Sequence, residues 1–254
     1  MKDATSLFIK AWRVLNSGFD SATFEDRDGV VSCFGHVPVL FFNLSFALHP
    51  AADQEAFRDQ LRTVASREAG CAHPTALVLE EAGLPGGWES ILATQSRVPL
   101  MPLLAMETEE LLAPRRSAPP ELEIRRVSNH RIARHFAGIN AHAYQMPPEL
   151  FDCMADKRFW SDDQLAFVGY VNGEPVSTAA ALPAAGTVYI AMVATMPGSQ
   201  GRGYAENVMR RAVTEGQRAM GVRRTTLHAS EAGSKVYAAM GYRAGPRMLL
   251  VGRA

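Results

Sequence analysis

The sequence of 254 residues predicts an α/β protein whose two halves have a similar order of strands and helices. Three observations support this prediction. Short apolar runs of strand length alternate with amphipathic runs at helical spacing. A segment rich in proline and charge, "LLAPRRSAPPELEI", separates the two series near Ser117. Hydrophobic residues make up 47% of the chain and charged residues 20%, as in a globular protein with a large core. We therefore expect one domain over residues 1–117 and a second over 118–254.

The sequence of the second half predicts a series of strands and helices. It begins with a strand "LEIRRV", a helix "HRIARHFAGINAHA", a second helix "PELFDCMADKRF" and a strand "QLAFVGYV". Asn172-Gly173 then predicts a tight hairpin turn, because this pair readily adopts positive φ. Strands "PVSTAAAL" and "VYIAMVAT", a glycine loop, an amphipathic helix, a strand "RTTLHAS", a short helix and a strand "RMLLVG" complete the half.

The first half can be aligned with the second. Pro50 ends the apolar run "FFNLSFALH" as Pro197 ends "YIAMVATM", and each is followed by an amphipathic helix that ends near Gly70 or Gly221. The run "TALVLEEAG" then corresponds to "TTLHASEAG". The first copy is shorter, and its missing residues fall where the second copy has the glycine loop. Duplication explains this pattern, and the alternative is a chance similarity between two α/β units.

Charge is unevenly divided between the halves, although the formal net charge is zero. Residues 1–120 carry 10 Lys/Arg and 15 Asp/Glu, whereas residues 121–254 carry 16 and 11. The second half is therefore the one suited to an anionic ligand. We do not expect it to bind nucleic acid, because its basic residues are scattered and no RNA or DNA motif accompanies them.

The remaining composition excludes several classes of protein. Cys33, Cys71 and Cys153 are odd in number and far apart, which disfavours a disulfide framework and gives no paired spacing for a metal. The N-terminus lacks the pattern of a signal peptide, and "VPVLFFNLSFAL" is too short to span a bilayer. We expect a cytoplasmic protein with no membrane partner and no metal; the sequence leaves its oligomeric state open.

The stretch "TMPGSQGRGYA" directly precedes an amphipathic helix. The first turn of a helix has free amide hydrogens and the positive end of the helix dipole, and glycines such as Gly201 and Gly203 let an anion approach them. Arg202 adds a positive charge, and Gln200 can donate a hydrogen bond. The alternative is a tight turn from strand to helix. Glu206 excludes a dinucleotide fingerprint, and a P-loop would require Gly-Lys-Ser/Thr.

This stretch resembles the acyl-CoA loop of the GNAT superfamily of N-acetyltransferases. The family pattern is Gln/Arg, two residues, Gly, one residue and Gly/Ala, and residues 200–205 match it fully. The later run "LHASEAGSKVYAAMGYR" is similar to the family's strand-helix-strand segment, so the resemblance covers roughly residues 121–254. It implies tandem GNAT-like domains, each with a mixed, mostly antiparallel twisted sheet flanked by helices. The first domain would be degenerate, since it lacks the loop.

The resemblance also implies a site for acetyl-CoA as co-substrate. Main-chain groups at the end of the strand before the loop would bind the pantetheine arm, amides of the loop would bind the pyrophosphate, and two serines near the next helix would reach the CoA moiety. A tyrosine on that helix would protonate the leaving thiolate as general acid; a role in core packing is the alternative. These residues are, in order, Val193, Ala194 and Thr195; Gln200, Gly201, Arg202, Gly203, Tyr204 and Ala205; Ser230 and Ser234; and Tyr237.

The acceptor implied by the resemblance is an amine, on a small molecule or a peptide, that attacks the thioester directly in a ternary complex. Tyr144, Gln145 and Met146 lie where the family shapes its acceptor pocket. Many members carry a carboxylate on the central strands as base, but "TVYIAMVAT" has none. A water relay, His228, Glu149 or an already deprotonated amine remain as alternatives. The missing carboxylate also favours a second class, a non-catalytic module that binds acyl-CoA or a protein partner.

Overall fold

The computed structural model describes residues 3–254, in which eleven strands form one continuous sheet flanked by helices. The strands of the first half are β1 (Thr23–Arg27), β2 (Val30–Phe34), β3 (Asn43–Ala47), β4 (Ala76–Glu80) and β5 (Arg97–Thr108). Those of the second half are β6 (Leu122–Arg126), β7 (Leu165–Val171), β8 (Glu174–Ala184), β9 (Thr187–Thr195), β10 (Thr225–Ala229) and β11 (Arg243–Arg253). The helices are α1 (Ala4–Asn16), α2 (Gln54–Glu68), α3 (Trp88–Thr94), α4 (His130–Ala143), α5 (Tyr204–Met220) and α6 (Glu231–Ala239).

Most predicted elements of the second half are present, with one difference. The predicted helix "PELFDCMADKRF" is instead two short 3₁₀ helices, Pro148–Met154 and Lys157–Phe159. The reason is local, because the carboxylate of Asp156 accepts a hydrogen bond from the Arg158 N–H at 2.9 Å and starts a new turn there. The segment therefore bends between the two turns.

The tandem arrangement is confirmed, but the two predicted sheets are joined into one. The strand order is β1-β2-β3-β4-β11-β5-β10-β9-β8-β7-β6. The last strand of the first half, β5, pairs with β10 of the second half, and the last strand of the second half, β11, pairs with β4 of the first. The two exchanged strands pair with each other at the centre. The position predicted as the domain boundary lies in the irregular connection between β5 and β6.

Corresponding elements of the two halves share details beyond their order. In each half two parallel strands are joined by a helix, β3 and β4 by α2 and β9 and β10 by α5. Each half also buries an asparagine near the end of its first helix. The amide of Asn16 donates to the Cys33 carbonyl at 3.1 Å, and that of Asn140 donates to the Thr178 hydroxyl at 3.2 Å. The repeated polar contact supports duplication over chance similarity.

The core that matters for function is shared by both halves. Helices α1 and α4 both pack on β8 and β9, so their apolar side chains belong to a single buried cluster. Phe8 of α1 contacts Tyr189 of β9, with ring centroids 6.1 Å apart. A second cluster lies beneath α5, and a third beneath α2 and α3. Because α1 crosses onto the second half, the first half forms one wall of whatever opens beside β9.

Candidate active site

Two parallel strands separate in the middle of the second half. β9 and β10 are paired only at Val188 with Thr225 and at Tyr189 with Thr226, although β9 continues to Thr195 and β10 to Ala229. Beyond the last pair the two strands diverge and leave a gap. The predicted positions Val193, Ala194 and Thr195 lie on the β9 side of this gap. A gap between strands exposes main-chain groups that an extended ligand can pair with.

A β-bulge turns the main chain of β9 where the gap opens. The register with β8 shifts between Thr178 and Ala180, and Met192 has a φ of +53°. The Thr178 hydroxyl donates to the Met192 carbonyl at 2.8 Å, and Asn140 donates to that hydroxyl in turn. Ser177 likewise donates to the Ala194 carbonyl at 2.8 Å. Because adjacent peptide groups of a strand face opposite sides, the carbonyl of Val193 faces the gap.

The glycine loop leaves the N-terminus of α5 open. Gly201 and Gly203 have φ values of +74° and +82°, a conformation that favours glycine. Gly203 is the N-cap of α5, and no described side chain caps this helix. A Cβ at Gly201 would have no neighbour within 4 Å, so space exists for a ligand to reach the main chain. Gln200 and Arg202 are exposed beside it. These features fit a diphosphate on the first-turn amides.

Two of the predicted loop positions lie in the first turn of α5. Tyr204 and Ala205 begin α5. The Tyr204 side chain is buried, and its hydroxyl donates to a Glu121 carboxylate oxygen at 3.0 Å, which anchors the helix start to the segment before β6. The backbone N–H groups of this first turn remain directed out of the helix.

The equivalent helix of the first half is closed by its own side chain. Asp53 is the N-cap of α2, and its carboxylate accepts a hydrogen bond from the Ala56 N–H at 2.9 Å. Nearby, the Gln54 amide donates to the Gly86 carbonyl at 2.8 Å. A carboxylate therefore occupies the position where an anion would bind, so the first half is unsuited to a diphosphate.

A cavity of about 310 Å³ adjoins the gap, and both halves line it. From the first half come side chains of α1, of the turn before β3 and of β5. From the second come the segment after α4, the diverging parts of β9 and β10, and the start of α6. The lining residues are Phe8, Trp12, Val39, Phe41, Phe42, Met101, Leu103, Tyr144, Met146, Phe151, Tyr189, Ile190, Ala191, Met192, Val193, Leu227, His228, Ser230 and Tyr237.

Tyr237 reaches this cavity from α6. Burial, and to a smaller extent the neighbouring Tyr144, raises the pKa of Tyr237. The phenol is therefore protonated at neutral pH and available as a proton donor. Its ring lies against Gly233, where an added Cβ would stand 3.1 Å from Tyr237 Cε2. Ser230 caps the same helix by accepting a hydrogen bond from the Gly233 N–H at 3.3 Å.

His228 forms a buried polar pair at the wall of the cavity. Its Nδ1 is 2.8 Å from the hydroxyl of Tyr189, and Phe8 stacks on the imidazole with ring centroids 4.2 Å apart. Burial lowers the pKa of His228 to about 3, so the imidazole is neutral at physiological pH. Its Nε2 is buried and has no hydrogen-bond partner among the described residues. This nitrogen is free for a group that enters the cavity.

Several sequence-predicted positions lie outside the cavity. Ser234 donates its hydroxyl to the Glu231 carbonyl at 2.7 Å and lines a separate depression with Leu104 and Arg247. Gln145 and Glu149 are exposed and do not line the cavity, whereas Tyr144 and Met146 do. His228 is thus placed better than Glu149 to meet an acceptor.

Sequence reasoning missed the contribution of the first half. Phe8 and Trp12 come from α1, which was not predicted, and Phe41 and Phe42 come from the turn before β3. A signal for α1 was present, because Phe8, Trp12 and Leu15 recur at helical spacing within "LFIKAWRVL". Their place beside His228 depends on contacts between distant parts of the chain.

Among residues 3–254, no group of three or more histidine, cysteine, aspartate or glutamate side chains is arranged to hold a metal ion. Within the same range, no helix is both long and apolar enough to cross a membrane.

A family model matches most of the second half. Residues 136–242 match the family described as "Acetyltransferase (GNAT) family". The second half is therefore a GNAT domain, and the first half repeats its fold. No protein of curated function matches the sequence.

Solved structures with the same fold extend over the whole chain. A GCN5-related N-acetyltransferase from Kribbella flavida is 19% identical, with a TM-score of 0.72 over 98% of this chain and 95% of that one. A GNAT-family protein from Novosphingobium aromaticivorans DSM 12444 is 18% identical, with a TM-score of 0.57 over 97% and 99%. A tandem GNAT protein from the clavulanic acid biosynthesis pathway is 9% identical, with a TM-score of 0.53 over 99% and 94%. At these identities the similarity concerns the fold.

Proposed function

We propose that this protein is an acetyl-CoA-dependent N-acetyltransferase that transfers the acetyl group directly to an amine in a ternary complex. One observation carries the proposal: β9, where it diverges from β10, leads into an uncapped helix N-terminus, and its Val193 lines a cavity that Tyr237 also lines. The helix N-terminus suits the diphosphate of acetyl-CoA, and the gap between the strands suits its pantetheine arm. The proton donor Tyr237 suits its thioester.

The second half would hold the co-substrate mainly through its main chain. The amides of residues 200–205 would bind the diphosphate, with Gln200 and Arg202 beside it, and the Val193–Thr195 strand end would pair with the pantetheine arm. Ser230 lines the cavity next to the helix that carries Tyr237. Ser234, whose hydroxyl is bonded to its own helix, would contact CoA at most from outside the cavity.

Acetyl-CoA supplies an acetyl thioester, and the chain supplies proton transfer around it. Attack by the amine on the carbonyl carbon and loss of the thiolate require one proton to leave nitrogen and one to reach sulfur. Tyr237, whose phenol is protonated at physiological pH and lines the cavity, is the donor to sulfur. Backbone amides beside the bulge at Met192 would polarise the carbonyl.

The neutral imidazole of His228 is our candidate for the group that receives the proton from nitrogen. Its Nε2 is unpartnered within the described chain, and its Nδ1 is held by the Tyr189 hydroxyl. If Nδ1 donates to Tyr189, then Nε2 presents its lone pair to the cavity. A water between amine and Nε2 would serve the same role. Glu149 is exposed away from the cavity and is the weaker candidate.

Replacing Tyr237 with phenylalanine tests the proposal. The ring and its packing on Gly233 are retained while the hydroxyl is removed, so turnover should fall by about 10²-fold to 10⁴-fold. Affinity for acetyl-CoA should change little, because the hydroxyl acts as charge develops on sulfur. Thiol release from acetyl-CoA with a panel of amines gives turnover, and calorimetry gives affinity.

The matched control is Tyr242→Phe. Tyr242 is also buried, but it does not line the cavity. Its replacement removes one hydrogen bond, which the Thr225 hydroxyl donates to the Tyr242 hydroxyl at 2.7 Å. We expect this variant to lose stability and to retain turnover. Equal activity of Tyr237→Phe and wild type at equal stability would contradict the role of Tyr237. Binding of acetyl-CoA without transfer to any amine would favour the alternative, an acyl-CoA-binding module.

A further inference from the structure

We propose that the first half builds an acceptor pocket for a small aromatic amine that binds as the uncharged free base. This inference rests on the proposed function, since it names the class of acceptor for the same site. It follows from the residues that line the cavity, from the absence of charged side chains among them and from the position of the cavity beside Tyr237.

The walls of the cavity are aromatic and aliphatic. Phe8, Trp12 and Phe41 enter from the first half, and Tyr144 and Met146 face them from the second. Tyr144 packs against Phe41, with ring centroids 6.1 Å apart, and against Phe151, whose ring is parallel to it within 9°. These aromatic side chains give the cavity an apolar wall that suits an aromatic ligand. The volume of about 310 Å³ is near the lower end of small-molecule sites, which span roughly 300–1,000 Å³.

No counter-ion for an ammonium group is present in the walls. Among the described residues that line the cavity, none is an acid, a lysine or an arginine. The ionisable groups there are the phenols of Tyr144, Tyr189 and Tyr237 and the imidazole of His228. A phenol is protonated at physiological pH, and burial raises the pKa of Tyr189 and Tyr237 further. Burial lowers the pKa of the His228 imidazole to about 3, so all four groups are neutral. An ammonium ion would lose its hydration without gaining a partner of opposite charge.

The residues around the cavity divide it between the thioester and the acceptor. Val193 and Tyr237, which the proposed function gives to acetyl-CoA, line it, so the thioester would end here. The remaining walls, formed by α1 and by the segment after α4 with Tyr144 and Met146, are then left to the acceptor. The nucleophile must also be uncharged to attack, so a site that excludes the ammonium form selects the reactive state.

The first experiment measures binding without chemistry. The full chain, saturated with CoA, is titrated calorimetrically with 2-phenylethanol, which is neutral at every pH used, and with 2-phenylethyltrimethylammonium, which is always charged. We expect 2-phenylethanol to bind at least tenfold more tightly. Equal or tighter binding of the cation would overturn the inference, since the rings would then act as a cation site. Failure of 2-phenylethanol to bind would overturn it as well.

The second experiment measures transfer and separates the two proposals. The kcat/KM for 2-phenylethylamine should exceed that for 1,4-diaminobutane by at least tenfold. If diaminobutane is acetylated equally well, the enzyme is an N-acetyltransferase but the acceptor class is wrong. If neither amine is acetylated while 2-phenylethanol still binds, the pocket assignment holds and the proposed function fails.

A charge placed in the wall tests the assignment at a residue. Met146→Glu puts a carboxylate in the cavity, and Met146→Gln has nearly the same size without the charge. We expect the glutamate variant to bind 2-phenylethanol at least tenfold more weakly than the glutamine variant does. The ratio of its affinities for 2-phenylethanol and for 2-phenylethyltrimethylammonium should also be smaller than in the glutamine variant. Leu112→Glu is the surface control, because Leu112 is 58% exposed and outside the cavity; its binding should equal that of wild type. Wild-type affinity in Met146→Glu would refute the assignment.

Discussion

Replacing Gly203 with aspartate tests whether the N-terminus of α5 binds a diphosphate. The protein itself has room for the new side chain, since an added Cβ would meet its nearest neighbour, Asn207 Nδ2, at 3.9 Å. The φ of +82° costs an L-residue about 1 kcal/mol. A negative charge at a helix N-terminus offsets about 0.3–1 kcal/mol of this. We therefore expect the free energy of unfolding to change by less than about 1 kcal/mol.

Affinity for CoA should respond far more strongly than stability. A carboxylate about 5 Å from a phosphate oxygen, in an effective dielectric of about 20, is repelled by about 3 kcal/mol. Salt screens part of this repulsion, so we expect binding to weaken by at least about tenfold, or 1.4 kcal/mol, at physiological ionic strength. The loss should grow as the salt concentration is lowered.

Calorimetric titration with CoA and with pantetheine provides the measurement. Pantetheine lacks the diphosphate, so its affinity should be nearly the same in wild type and Gly203→Asp. Gly203→Asn is the matched control, because it has the same shape and the same backbone strain without the charge. Equal affinity of the aspartate and asparagine variants for CoA, with an intact fold, would place the diphosphate elsewhere and refute the reasoning.

Three further predictions follow from the site. Titration of the full chain should give one CoA per chain, because Asp53 closes the equivalent helix of the first half; a second site of comparable affinity would contradict this. Gly233→Ala should displace the Tyr237 ring and lower turnover at least tenfold. The control is Gly138→Ala, which should keep its turnover because an added Cβ at this helical glycine has no neighbour within 4 Å. Equal turnover in the two variants would count against the role of Gly233. Between about pH 3 and 6.5, His228 binds a proton in the unfolded state but not in the folded state. The free energy of unfolding therefore decreases as the pH is lowered through this range, by up to about 1.4 kcal/mol per pH unit. Denaturant titrations at pH 5 and pH 7 should show a smaller fall for His228→Gln, and an equal fall would show that His228 titrates normally.

The open glycine loop before α5 could be predicted from sequence because it is local. The pattern from Gln200 to Ala205 and the strand before it fix a strand, a loop and a helix within about twenty residues. The fold of the second half follows from alternating apolar runs for the same reason. A backbone conformation that depends only on residues close in sequence can be predicted from a local sequence pattern. The positive φ of Gly201 and Gly203 is an example.

The contribution of the first half to the cavity could not be predicted in this way. Phe8 and His228 are 220 positions apart, and their stacking depends on α1 packing across β8 and β9. The exchange of β5 and β11 was also hidden. Both strands are apolar enough to pair with the strands of either half, and the sequence of a strand does not by itself determine which strands it pairs with.

The strand exchange has a consequence for how the chain reaches its folded state. β11 is synthesised after every other strand of the sheet. It lies between β4 and β5, which end 163 and 135 residues before β11 begins. Until β11 inserts, β4 and β5 each present an unpaired edge on which another nascent chain can add. Closure of the sheet also depends on contacts between distant residues, which form slowly. The period of greatest risk of aggregation is therefore the one just before β11 emerges, and chaperones that shield strand edges would matter most at that stage.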